Sequence, residues 1–204
     1  MAVQLKRIET ETVNIRIKSL SPMIQHKWSE KAKEMMRQKH AGKKTRVRDA
    51  RDPDQEAVDA TYFTEDGQFG IPVDALKASW IGAAHKDIGI EKTLVKKALF
   101  VECSDSNRVL PIQADEPVVR EDCVRVGAGS ADLRYRPEFR KWAAEITITF
   151  DKSMLTVEDI VNLINRAGFG VGICEWRPEK GGEFGRYGFD AEFGVVSVDL
   201  KKTA

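Results

Sequence analysis

Residues 142 to 175 hold the pattern that most limits what this chain can fold into. Trp142, Ala144, Ile146, Ile148 and Phe150 alternate with Ala143, Glu145, Thr147 and Thr149. A period of two with one apolar side marks a half-buried strand. Thr156 then stands three residues before Asp159, the spacing of a capping box. Ile160, Leu163, Ile164 and Ala167 follow as the stripe of a helix packed on one side. The pattern predicts a helix closed by Gly168 as a left-handed C′ residue, with a second strand over Val171–Glu175. Strand, helix and strand make a βαβ-like unit with glycines at its helix-to-strand corner.

The rest of the chain reads as further strands and helices of an α+β protein. Val13-Asn14-Ile15-Arg16-Ile17-Lys18 alternates as a strand that Ser21-Pro22 ends. Ser29 can cap a helix running to about Gln38, with Ala32, Met35 and Met36 on its buried side. Short strands are expected at Ala60–Phe63 and Gln68–Ile71 around Asp66-Gly67. Asp74 can cap a helix to about His85 that turns Leu76, Trp80 and Ala83 inward. Strands are expected at Lys97–Glu102 and Val118–Arg125, the latter leading into the Gly-rich corner Val126–Ser130. One domain over residues 1–204 is the economical reading, with a basic mobile loop at 40–59 and an insertion region at 87–140.

Composition narrows the functional classes. Of 204 residues, 42% are hydrophobic and 32% charged, as in a soluble globular protein. No run approaches the ~18 apolar residues of a membrane span, so no membrane partner is expected. Cys103, Cys123 and Cys174 are widely spaced and form no CxxC pair, which favours reduced thiols. A net charge of +1 hides a local block, since seven Lys/Arg residues lie between Arg37 and Arg51 against Asp49 alone. Such a block either meets an anionic partner or is a solvated loop.

The stretch Gly168–Gly188 is the strongest functional signal, with seven glycines in 21 residues. Arg177, Lys180 and Arg186 lie among them as possible phosphate partners, and Phe184 and Tyr187 as flat faces for bases. The competing reading is a helix end, a strand and a Gly-rich hairpin. Basic and aromatic residues also alternate in Asp132-Leu133-Arg134-Tyr135-Arg136-Pro137. Trp80 and Trp142 fall on apolar faces and are expected in the core, while Trp176 packs beneath the loop or stacks on a base. His26 lies beside Lys27 and Trp28; it can act as a general base or as a hydrogen-bonded structural residue. His26, His40 and His85 lack metal-ligand spacing, GFGVGI is not a dinucleotide fingerprint, and no Walker motif or HExxH occurs. Neither metal nor cofactor is expected.

A first strand ending in Ser-Pro before a helix, and Ala167-Gly168 giving way to Gly170, Gly172 and Gly181-Gly182-Glu183-Phe184-Gly185-Arg186, resemble the RAMP superfamily of CRISPR-associated RNA-binding proteins. The likeness is greatest to the subunits that form a guide-RNA backbone filament. Ser21–Trp28, Val126–Phe139 and Ala167–Tyr187 also look like segments of bacteriophage and prophage proteins. The resemblance implies a ferredoxin-like (RRM/RAMP-type) βαββαβ core with a long insertion and a Gly-rich C-terminal loop. It implies that Gly170, Gly172, Gly181, Gly182 and Gly185 shape the loop, and that Arg177, Lys180 and Arg186 contact phosphates. Lys43, Lys44, Arg46 and Arg48 would form a thumb-like arm. Arg134, Arg136, Phe184 and Tyr187 complete the expected nucleic-acid-binding set. Glu175, Glu179 and Glu183 interrupt the positive charge of the loop.

The function this implies is non-enzymatic binding of single-stranded RNA or DNA in the cytoplasm of a bacterial host, by a homo-oligomer spreading head to tail along the strand. Two other classes stay open. One is a metal-independent RAMP-type endoribonuclease with His26 as base, and the other a phage assembly or structural protein.

Overall fold

The computed structural model describes residues 7–28, 30–42, 50–126 and 129–198. In chain order they form β1 (Thr10–Ser19), β2 (Met23–Ile24), α1 (Glu30–His40), α2 (Pro53–Asp59), β3 (Gly70–Pro72) and α3 (Val73–Ala83). Next come α4 (Lys92–Ala98), β4 (Leu99–Glu102), β5 (Val109–Pro111), β6 (Gln113–Ala114), β7 (Val118–Val126) and β8 (Ser130–Phe139). β9 (Trp142–Asp151), α5 (Val157–Gly170), β10 (Tyr187–Phe189) and β11 (Val195–Ser197) complete the chain. It is a mixed α+β protein with antiparallel sheets.

The alternating strands build the main sheet, in the order β10–β1–β9–β4. β9 pairs antiparallel with β1 from Ala143 to Asp151 and with β4 from Thr147 to Phe150. β10 and then β11 line the other edge of β1. β9 and β10 therefore run the same way, joined through α5, and β1 and β4 run the same way, joined through α3. Val13, Ile15, Ile17, Ile146, Ile148 and Phe150 are buried together with Leu76 and Trp80 of α3 and Ile160, Leu163 and Ile164 of α5. The Thr156–Asp159 capping box starts α5, with the Thr156 hydroxyl accepting from the Asp159 N–H at 3.2 Å.

A smaller sheet, β2–β8–β7, carries a long hairpin that we call the arm. β7 and β8 pair one to one from Val118–Glu138 to Val126–Ser130. At the foot of the arm, β6 pairs with the first residues of β9, Gln113 with Ala143 and Ala114 with Trp142.

Several expectations are corrected. α5 does not stop at Gly168 but continues to Gly170, and Gly172 takes the left-handed turn with φ of 70°. Gly168 is required for another reason: a Cβ there would lie 1.8 Å from the Tyr187 carbonyl oxygen, so α5 and β10 touch backbone to backbone. Residues 171–175 form no strand; Glu175 makes one bridge to Ile24, and β10 is the strand that returns beside β1. Met35 and Met36 of α1 are exposed. The 40–59 loop turns helical at Pro53, capped by the Asp52 carboxylate, whose Oδ1 accepts from the Asp54 and Gln55 N–H groups. Asp74 does not cap α3, which starts after Pro72 with no side-chain cap. Within residues 87–140, α4 packs against α3, β4 pairs with β9 at the edge of the main sheet, and β6 pairs with the start of β9. The expected strand at 97–102 begins only at Leu99, because α4 runs to Ala98.

Candidate nucleic-acid interface

The arm buries charge where the main sheet buries hydrocarbon. Its register sets Arg120 opposite Arg136 and Asp122 opposite Arg134. Two cations directly opposed repel each other. Asp122 resolves this by accepting from both, Arg120 Nε at 2.8 Å and Arg136 Nη2 at 2.7 Å. The Glu138 carboxylate accepts from Arg120 Nη1 at 2.8 Å. The side chains of Asp122 and Arg136 are 3% and 2% exposed, so this pair lies inside the protein.

The Gly-rich loop closes over that face. Glu175 is flanked by Cys174 and Trp176, whose φ angles of 63° and 50° lie in the left-handed region. Two such non-glycine residues so close together are costly and mark a turn held by its surroundings. The turn carries Glu175 Oε2 to 3.6 Å from Arg136 Nη1. It also sets the Trp176 indole against two guanidinium groups, Arg120 at 5.3 Å and Arg136 at 5.4 Å from the ring centre. Phe184 meets Trp176 edge to face at 6.1 Å, and Arg120 lies 5.0 Å from the Phe184 ring. These are cation–π distances.

The glycines serve this closure. A Cβ on Gly182 would lie 1.8 Å from the Trp176 carbonyl oxygen and one on Gly185 1.9 Å from that of Ile173. Gly172 is crowded by Pro178, whereas Gly170 and Gly181 face open space. The loop is glycine-rich chiefly because it packs on its own backbone.

His26 is enclosed by the same network. Its Nε2 lies 2.9 Å from Arg134 Nη1 and its Nδ1 3.6 Å from Glu175 Oε1. A proton on Nδ1 suits both neighbours, since Nε2 then accepts from Arg134. The contact with His26, followed by the fields of Arg136 and Arg177, holds the Glu175 carboxyl below the usual range. Burial pushes the Cys174 thiol up to about 12, so it stays protonated.

The other expected residues scatter. Tyr187 is fully buried and its hydroxyl is 2.8 Å from the Ser79 hydroxyl, so it offers no face for stacking. Arg136 is likewise buried in its ion pair and is not a surface phosphate contact. Arg177 is bonded to Glu179 and to the Cys174 carbonyl. Arg186 lies 5.2 Å from the exposed Phe169 ring near the end of α5. Lys180 is exposed and makes no ion pair among the described residues. Lys43, Lys44, Arg46 and Arg48 lie outside the described residues. Thus Arg134, Arg136 and Phe184 come together and Arg177 reaches them only through its field on Glu175, while Lys180, Arg186 and Tyr187 do not join them.

The sequence reading missed Arg120 and Asp122. Their only signal is charge at alternate positions of β7, which becomes a cluster once β8 is in register. Trp28, 53% exposed, follows His26 and Lys27 in the chain. Among the described residues, no three His, Cys, Asp or Glu residues are arranged to hold a metal ion, and no helix is long and apolar enough to cross a membrane. No protein-family model matches the chain, and no curated protein sequence matches it.

Proposed function

We propose that the chain is a ferredoxin-like, RAMP-related module that binds single-stranded nucleic acid without cutting it. The core supports the fold half of this reading. Renumbering β1, β4, β9 and β10 in chain order gives the antiparallel order 4-1-3-2, with α3 and α5 as the two connections. The observation that carries the binding half is the layering of Phe184, Arg120, Trp176 and Arg136 where the arm meets the Gly-rich loop. Trp176 is 37% exposed there, and a ring backed by guanidinium groups presents its free area to a base. Lys27 and Lys180 supply cations that make no ion pair among the described residues, although the Lys27 charge also acts on Glu30.

The acids of the network limit this attraction, so binding is modest and steeply salt-dependent. The arrangement of His26 supports binding over cleavage. As a base it would need a free ring nitrogen, but Nε2 is already turned to Arg134.

Fluorescence anisotropy with labelled single-stranded RNA, single-stranded DNA and duplex DNA across a salt series tests the proposal. Single strands are expected to bind, and Lys27→Glu with Lys180→Glu to weaken every probe and flatten the salt slope. Trp176→Ala is expected to weaken single-strand binding about tenfold. Failure of all probes at low salt would overturn the reading. So would cleavage of the RNA probe in chelator that His26→Ala abolishes.

A further inference from the structure

The outer edge of β7 is uncovered. Its nine residues pair with β8 without a bulge, and among the described residues no other strand pairs with it. The far side of β8 tells which of its backbone groups point outward. The Pro137 carbonyl accepts from the Gln25 N–H at 3.1 Å on the β2 side. By alternation Arg136 and Glu138 turn their groups towards β7, and their partners Arg120 and Val118 turn back towards β8. The N–H and C=O groups of Val119, Glu121, Cys123 and Arg125 are left facing out. A row of this kind is a template for another strand. The strand holds no proline, lysine or bulge, and its outward-facing charges, Glu121 and Arg125, are of opposite sign, so a copy of itself can match them.

We propose that this edge pairs with the β7 edge of a second copy of the chain, antiparallel about a two-fold axis through Cys123. Symmetry makes the selection. An axis normal to the sheet keeps each side chain on its own face, so opposed residues must share parity. Three registers then keep most of the strand paired. An axis at Glu121 sets that carboxylate against its own copy, and one at Asp122 sets Glu121 against Cys123 and Arg125 against Val119, leaving both exposed charges unmatched. An axis at Cys123 opposes two small thiols and places Glu121 against Arg125 of the second copy, twice over.

Glu121, Cys123 and Arg125 are all exposed. Arg125 has no ion pair among the described residues, and Glu121 is steadied by the Tyr135 hydroxyl across the hairpin. The contact is isologous and closes at two copies, unlike the head-to-tail spread expected from the sequence. It stands independently of whether nucleic acid binds.

Sedimentation velocity over a concentration series tests the pairing. The protein is expected to dimerise. Glu121→Arg and Arg125→Glu should each weaken the dimer about tenfold or more, and the double exchange should restore it. Near-ultraviolet circular dichroism of each variant reads its fold, and Arg125→Glu leaves the Tyr135 contact untouched. A short bis-maleimide should join Cys123 to Cys123, read by mass spectrometry. A protein that stays monomeric, a dimer indifferent to both single reversals, or a cross-link that excludes Cys123 would each overturn the proposal. None of these results bears on the anisotropy measurement.

Discussion

β1 with β9 and β7 with β8 are both long antiparallel pairs, yet opposite means hold them. The first buries Val13, Ile15, Ile146 and Ile148 under two helices. The second buries Asp122 and Arg136 under a loop. Hydrocarbon burial is non-directional and tolerant of small shifts. A buried ion pair forgives far less, because either member alone is a bare charge away from water. The core is thus fixed by how much is buried, and the arm by whether each charge has its partner.

The difference can be broken from either side. The largest effect is expected in the core, where Ile146→Ala removes buried hydrocarbon and should cost about 3–4 kcal/mol, read by urea unfolding. Asp122→Ala comes next at about 3 kcal/mol, because it leaves Arg136 buried with only the longer 3.6 Å contact to Glu175 and leaves Arg120 facing it. Replacing both partners, Asp122→Leu with Arg136→Met, should recover most of that loss. A double variant no better than the single one would show that the pair is not the organising contact.

Acid should loosen the arm through Glu175, with the smallest effect. The Glu175 carboxyl is held low by His26 and the nearby arginines. Its contribution is complete above the ordinary glutamate range near pH ~4.3 and is lost as pH falls through the depressed folded value. The fluorescence difference between the protein and its Trp176→Phe variant should change in that acid window while the β1–β9 core keeps its far-ultraviolet signal. Glu175→Gln should remove the change. A simultaneous loss of both signals would mean that arm and core titrate as one.

Much of the main sheet is legible in the sequence because its determinants are local. Alternation over Trp142–Phe150, the Thr156–Asp159 spacing and the stripe to Ala167 act within a few residues of one another. What escapes is long-range. The need for glycine at 168 comes from the Tyr187 carbonyl, and the true return strand begins only at Tyr187. Of the candidate site, Arg134, Arg136 and Phe184 were visible as residue types in suggestive company. Their partners Arg120 and Asp122 were not, and Glu175 stood out only as an acid interrupting the loop's positive charge, because opposed charges become pairs only when a register is set. Arg136 reads as a surface cation in one dimension, and only the hairpin turns it inward.

The foot of the arm has a mechanical consequence. β8 passes into β9 across Arg140 and Lys141 alone, so the hairpin is an extension of the central strand of the core. The other leg is tied beside it, where Gln113 and Ala114 pair with Ala143 and Trp142. Two legs clamped side by side form a fulcrum. A load on the hairpin is therefore carried as torque into β9, which is paired on both sides, by β1 on one and by β4 and β6 on the other, and the hairpin acts as one lever.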